Sequence, residues 1–147
     1  MGKGHPGTFD YPKNSLEEAL IAFRERRLDA PSFLEELLNS EVYVLPLQGD
    51  LIRRSSEGGG PTLSKNPTLF CMNYPKYSAI GLFTASERAT PICKLHPEFR
   101  IATAVQAGRF LLGLEGDFGI VINPYWDVNI EWTNEQVQQI LGMVRRD

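Results

Sequence analysis

The sequence is poor in the residues that usually mark a metal centre, a disulfide framework or a membrane span. Its 147 residues include two histidines and two cysteines, and Cys71 and Cys93 form no C-x-x-C pair. A zinc site needs three or four ligands at short spacing, and no such group occurs. No apolar run reaches the ~18 residues of a membrane span. We therefore predict no metal, no cofactor and no membrane segment, and nothing favours a disulfide.

An excess of positive charge is also lacking. The formal net charge is −3 and the pI is about 5.4. Sequence-independent binding of nucleic acid requires clustered cations that displace phosphate counterions, so we expect no nucleic-acid partner. Arginines and glutamates are mixed along the first predicted helix, a pattern typical of a solvated helix face. These residues are Arg24, Arg26, Arg27, Glu17, Glu18 and Glu25.

The N-terminal stretch has none of the features of a secretory signal. Residues 1–14 are rich in glycine, proline and polar residues, and they contain no apolar h-region. A chain of this length fits one domain, which buries about 70% of its unfolded surface. We expect a flexible arm over residues 1–14, a single domain over residues 15–147 and a cytoplasmic location.

Two amphipathic helices are predicted at the start of the domain. Ser15 and Glu18 have the spacing of a capping box, and apolar residues follow at i, i+3, i+4 and i+7. Pro31 suits the first turn of a second helix, with Asp29 or Ala30 at its N-cap. The predicted buried residues are Leu16, Ala19, Leu20, Phe23, Phe33, Leu34, Leu37 and Leu38.

The rest of the chain alternates short strands with helices. Short apolar runs bounded by turn residues predict strands at 41–47, 51–54, 69–72, 79–83, 99–105, 119–122 and 128–132. Helices are predicted after Thr84, which is placed as a cap, from Gln106 to Leu114, and after a capping box from Thr133 to Gln136. The fold class is therefore α+β, one domain with a mixed β-sheet and helices packed on it.

The strand at 119–122 organises this pattern. Its β-branched residues predict burial on both faces, and Pro124 cannot donate to a sheet ladder. Asn123 is therefore expected where the strand leaves the core and meets solvent. Tyr125, Trp126 and Asp127 follow at that exit, and aromatic residues in an exposed loop are suited to anchoring a partner. Either these rings are exposed or they fold back into the core; Trp132 is expected to be core.

Three features that invite catalytic or ligand-binding roles lack supporting residues. Gly58-Gly59-Gly60 is followed by proline rather than Lys-Ser/Thr, so a flexible loop is favoured over a phosphate loop. Cys93 and His96 have no third orienting group for nucleophilic catalysis. Four acids are close in sequence, and carboxylates serve acid–base chemistry only where their environments separate their pKa values. They are Glu115, Asp117, Asp127 and Glu131.

A family resemblance emerges from the order of short motifs along the chain. The chain resembles the N-terminal domain of the SseB family, the enhanced-serine-sensitivity proteins of bacteria, over about residues 15–142. The motifs are LEEAL at 16–20, PSFLEELL at 31–38, EVYVLP at 41–46, LFTASER at 82–88 and IVINP at 120–124, before a closing helix. Family members usually carry glycine after Asn-Pro, where this chain has Tyr125 and Trp126. The family's usual second, C-terminal domain is not expected here.

The resemblance implies a small cytosolic module that binds another protein and performs no chemistry. It supplies no catalytic residues, so we predict a non-enzymatic protein-interaction module with Tyr125, Trp126 and Asp127 as the partner-binding residues. Stand-alone members accompany secretion or polymorphic-toxin loci, which makes an immunity protein against a secreted toxin the more specific alternative. A small-molecule-binding protein or an enzyme is the second alternative.

If this loop binds a partner through an exposed indole, Trp126→Ala should weaken binding by about 2 kcal/mol or more with little loss of stability. Affinity and melting temperature, measured on the same samples, test this expectation. A large fall in melting temperature would instead assign Trp126 to the core.

Overall fold

The computed structural model interleaves helices and strands and describes residues 12–46, 51–52, 62–63, 69–99, 101–114 and 117–145. The helices there are α1 (Ser15–Arg24), α2 (Ala30–Leu38), α3 (Thr90–Leu95), α4 (Ala107–Gly113) and α5 (Asn134–Arg145). The strands are β1 (Glu41–Val44), β2 (Leu51–Ile52), β3 (Thr62–Leu63), β4 (Cys71–Asn73), β5 (Ser78–Leu82), β6 (Thr103–Gln106), β7 (Gly119–Ile122) and β8 (Ile130–Trp132). Not one of the described helices combines the length and the hydropathy that a membrane crossing requires.

A mixed four-stranded sheet lies at the centre, in the order β4-β5-β7-β8. β5 and β7 run parallel, and the other neighbours in this sheet are antiparallel. β1 pairs with β6 and joins the end of β5 through two backbone hydrogen bonds of 2.9 Å between Tyr43 and Phe83. β2 and β3 form a separate antiparallel pair. The predicted α+β class with a mixed sheet is confirmed.

β7 is buried along its whole length, as its sequence predicts. It lies between β5 and β8, with Ile120 opposite Ile80 on one side and Trp132 on the other. The helices cover the sheet with the apolar faces that their spacing predicts, and Phe23 of α1 stacks on Phe33 of α2 at a centroid distance of 4.9 Å. The main core includes Leu16, Leu20, Phe33, Leu37, Val42, Val44, Leu82, Leu111, Ile120, Ile122, Val137 and Leu141.

Side-chain caps mark where several helices begin. The predicted capping box of α5 is confirmed, because Thr133 N–H donates to Gln136 Oε1 and Gln136 N–H donates back to Thr133 Oγ1. Asp29 caps α2, one of its two predicted caps. The cap of α1 is Asn14 rather than Ser15, so the residue in the Glu position of that box is Glu17 rather than Glu18.

Other boundaries and contacts differ from the sequence expectations. The strand predicted at 99–105 begins only at Thr103, because Phe99 folds onto Phe70 with ring centroids 5.7 Å apart. Thr84 caps no helix: a 3₁₀ turn, Ser86–Ala89, follows it without a side-chain cap and runs into α3. Asn123 is fully buried, so the expectation that it meets solvent is wrong. The predicted glycine loop at 55–61 lies outside the described residues.

We expect Gly119→Ala to lower the free energy of unfolding by roughly 1–3 kcal/mol, the usual effect of overpacking. A Cβ atom at Gly119 would lie 2.6 Å from the Trp132 carbonyl oxygen and 2.6 Å from the Tyr77 ring. Neither the paired strand nor the ring can withdraw without disturbing β7. Urea denaturation of the variant measures the change.

Gly142→Ala in α5 is the matched control. A Cβ atom there meets nothing within 4 Å, and alanine is preferred to glycine inside a helix by about 0.5–1 kcal/mol. This variant should therefore be slightly more stable than wild type. Equal effects at the two positions would contradict the assigned packing at Gly119.

Candidate functional site

Within the described part of the chain, the buried polar side chains form a single cluster. Glu17, Thr84, Arg88 and Asn123 are each no more than 2% exposed. They come from three segments that are far apart in the sequence: α1, the stretch from the end of β5 to the 3₁₀ turn, and the end of β7. All four residues lie in motifs that carry the family resemblance, and the fold brings these motifs together.

A buried ion pair lies at the centre of this cluster. Arg88 donates from Nε to Glu17 Oε2 and from Nη2 to Glu17 Oε1, both at 2.8 Å. The Thr84 hydroxyl donates to Oε2 at 2.5 Å, and the Lys13 backbone N–H donates to Oε1 at 2.9 Å. This two-point geometry between a guanidinium and a carboxylate is the strong, direction-specific form of an ion pair.

The environment of Glu17 keeps its carboxyl group ionised. Burial raises the pKa of Glu17, but hydrogen bonds from Arg88, Thr84 and the Lys13 backbone, together with the Arg88 charge, outweigh burial and hold that pKa below its ordinary value. A buried charge pair is tolerated when the remaining hydrogen-bonding capacity of both groups is also met. In the described residues no buried side-chain nitrogen or oxygen lacks a partner.

Asn123 connects this cluster to the loop that follows β7. Its N–H donates to Leu82 O at 2.8 Å, its Oδ1 accepts from Thr84 N–H at 3.0 Å, and its Nδ2 donates to Thr84 Oγ1 at 2.9 Å. Asn123 is buried because its amide satisfies the backbone where β5 ends beside β7. It also adopts a left-handed backbone, with φ 57°, which turns the chain into the loop.

The loop over residues 123–127, called here the exit loop, is anchored through Trp126. The Trp126 indole Nε1–H donates to the Arg88 backbone oxygen at 2.7 Å, and the Arg88 guanidinium carbon lies 4.6 Å from the indole centroid. Trp126 N–H also donates to Asn123 O at 3.1 Å. One guanidinium group therefore binds the carboxylate of Glu17 and lies over the indole ring of Trp126.

The structure answers the open question about the two loop aromatics differently for each. Tyr125 is 39% exposed and Asp127 is exposed, whereas Trp126 is half-buried against Arg88. Trp132 is also half-buried, with its ring 6.4 Å from that of Phe33. Trp126→Ala would thus remove a packed and hydrogen-bonded ring, so Tyr125 is the cleaner probe of the outer surface.

The other candidate residues that the structure describes lie on different elements of the fold. Cys93 is half-buried, and burial raises the pKa of its thiol, which disfavours the reactive thiolate. The His96 ring lies 5.6 Å from the Phe70 ring, in an aromatic setting. Asp117 and Asp127 lie beyond opposite ends of β7, and Glu115 lies outside the described residues. Among the residues that are described, no three histidine, cysteine or acidic side chains are grouped as a metal site would require.

A second surface feature is an apolar groove of about 250 Å³ between the first two helices and α5. None of the described residues that line it is charged, and Met143 at its edge is 53% exposed. The groove is lined by Phe23, Ala30, Pro31, Phe33, Leu34, Trp132, Gln136, Gln139, Ile140 and Met143.

Sequence reasoning missed the two central residues of the cluster. Glu17 was assigned to a solvated helix face, and this assignment is wrong because its side chain is fully buried. Asn14 and Glu17 also have capping-box spacing, one residue earlier than Ser15 and Glu18. This spacing is the sequence signal that points to Glu17. Nothing local distinguishes Arg88 from a surface arginine, because its partners lie on other elements.

We expect the stability of wild type to fall in acid partly through Glu17. Since the pKa of Glu17 is lower in the folded than in the unfolded chain, its contribution is complete above the unfolded value, near 4.5, and is lost as pH falls through the folded value. Glu17→Gln should remove this part of the pH dependence and cost about 3–5 kcal/mol near neutral pH, because the buried Arg88 cation loses the opposite charge of Glu17. Urea denaturation at a series of pH values measures both effects.

Glu18→Gln is the control, because Glu18 is an exposed glutamate on the same helical turn. This variant should keep the acid-dependent loss of wild type. If Glu17→Gln also keeps that loss unchanged, the buried pair is not its source.

Comparison with known proteins agrees with the motif order described above. Residues 16–139 match the family model described as SseB protein N-terminal domain. A search of curated proteins found no match, and neither did a search of solved structures. The matched region spans most of the chain and contains the buried cluster and the exit loop. The chain therefore belongs to the SseB N-terminal domain family.

Proposed function

We propose that this protein is a non-enzymatic protein-interaction module and that the exit loop is its contact surface. The observation that carries the proposal is the conformation of Tyr125. Its φ is 75°, in the left-handed region, and yet its side chain is 39% exposed. A bulky residue is thus held in an unfavourable backbone conformation without being buried in the core.

Such strain supports a role outside folding. A non-glycine residue in the left-handed region costs of order 1–3 kcal/mol and persists only where the surrounding structure imposes it. Here the neighbours of Tyr125 impose it, since Asn123 is fixed by three hydrogen bonds to Leu82 and Thr84, and Trp126 is fixed by Arg88. The usual glycine of the family would avoid this strain.

A protein partner fits the exit loop better than a small ligand. Neither the apolar groove nor a polar cleft beside α1 is lined by Tyr125 or Asp127. Tyrosine is enriched at protein interfaces, where it supplies a large contact area with few rotatable bonds. A loop already held in one conformation also loses less entropy on binding. The half-buried Cys93, with its raised thiol pKa, and the separated acids favour binding over catalysis.

We expect Tyr125→Gly to weaken partner binding while leaving the fold as stable as wild type or more so. Glycine removes the exposed ring and adopts a positive φ without strain. The affinity loss for a central aromatic contact is about 2 kcal/mol or more, or roughly thirtyfold in Kd. The measurement uses the partner captured from a lysate, then purified and titrated by calorimetry against wild type and variant, beside a melting curve of each.

Met143→Ala is the control, because Met143 is an exposed apolar residue at the edge of the groove rather than in the exit loop. It should bind as wild type does. An unchanged Kd for Tyr125→Gly would rule out the exit loop as the contact surface, and a loss only in Met143→Ala would transfer the role to the groove. A captured toxin would support the immunity-protein alternative.

A further inference from the structure

We propose that Arg88 is a positioning residue for the exit loop, and that it acts only when paired with Glu17. The part of this inference that concerns partner binding rests on the proposed function. The part that concerns the conformation of the loop does not. A buried ion pair and a surface loop would then form one unit, in which a carboxylate on α1 determines how the aromatic residues after β7 are presented.

The geometry of Arg88 gives it two separate tasks. Its guanidinium donates two 2.8 Å hydrogen bonds to Glu17, and the guanidinium carbon lies over the Trp126 indole, 4.6 Å from the ring centroid. Its backbone oxygen accepts the indole N–H at 2.7 Å. The planar guanidinium can bind a carboxylate and cover an aromatic face at once, which the ammonium group of lysine does less well.

The charge of Arg88, and not only its bulk, is expected to hold the indole. The Arg88 side chain is 2% exposed, and a cation over a tryptophan face is attracted more strongly where water is excluded. That buried cation is stabilised by Glu17, which carries the opposite charge and accepts two of its hydrogen bonds. Glu17 therefore affects Trp126 through Arg88, and Trp126 in turn fixes the residue next to it, Tyr125.

The experiment compares hydrogen exchange at the two indole N–H groups of the chain by NMR. The tested variant is the double substitution Glu17→Gln with Arg88→Met. It removes both charges of the pair together, so neither member stays buried without the other, and such replacements often preserve stability. The glutamine amide oxygen can still accept from the Lys13 N–H, and its NH2 group can donate to the Thr84 hydroxyl oxygen. We expect the Trp126 indole N–H to exchange about tenfold faster, the factor for about 1.4 kcal/mol, which lies between the values for an exposed and a desolvated cation–π contact.

The Trp132 indole and the backbone amides of β7 serve as internal references. Both should exchange as in wild type, and the β7 amides, which are paired in the sheet, report its opening. Equal acceleration at both indoles and at the β7 amides would mean that the Glu17–Arg88 pair only stabilises the fold as a whole. This result would overturn the inference. No acceleration at Trp126 would overturn it too. If the double variant fails to fold, Arg88→Lys, which keeps a buried cation, provides the same comparison with a smaller expected change at Trp126.

Binding measured on the same double variant separates the two proposals. A tenfold faster Trp126 exchange with a weaker partner affinity supports both. Faster exchange with unchanged affinity supports the positioning role of Arg88 and contradicts the exit loop as contact surface. Weaker affinity with unchanged indole exchange contradicts the positioning role alone.

Discussion

The ion pair between Glu17 and Arg88 is the interaction on which the arrangement of this domain depends. It lies where α1, the end of β5 and the 3₁₀ turn meet, and both side chains are almost completely withdrawn from water. Charges in that position destabilise a protein unless they are matched in geometry as well as in sign. Here the match includes two parallel hydrogen bonds, a threonine hydroxyl and a backbone N–H. The elements that supply these groups must therefore adopt one relative placement.

The same pair links the interior to a surface loop. The Thr84 hydroxyl accepts a hydrogen bond from Asn123, and the Arg88 backbone oxygen accepts one from Trp126. Between these two anchors Tyr125 is left with a positive φ and an exposed ring. Buried contacts stabilise the backbone conformation of Tyr125, and this conformation leaves its aromatic ring exposed. This division is what a preorganised binding surface requires.

The two ends of β7 are used differently. At the start of the strand, Gly119 allows the Tyr77 ring and the Trp132 carbonyl to approach closely, which is a packing constraint. At its end, Asn123 turns the chain through a polar cluster, which is a hydrogen-bonding constraint. Membership of the SseB N-terminal domain family accounts for the fold that contains both ends. Tyr125, with its positive φ and exposed ring, is the feature of this chain that packing of the core does not explain.

Local pattern determined the helices, most strands, the buried β7 and the caps at Asp29 and Thr133, because each depends on residues within a few positions of one another. The motif order also identified the family. Only the tertiary structure decided that Glu17 is buried rather than solvated and that Asn123 turns inward. It also decided that Tyr125 is exposed whereas Trp126 is half-buried. The physical reason is that a polar side chain is buried or exposed according to the partners it finds. The partners of Glu17, Asn123 and Trp126 lie on segments that only the fold brings together.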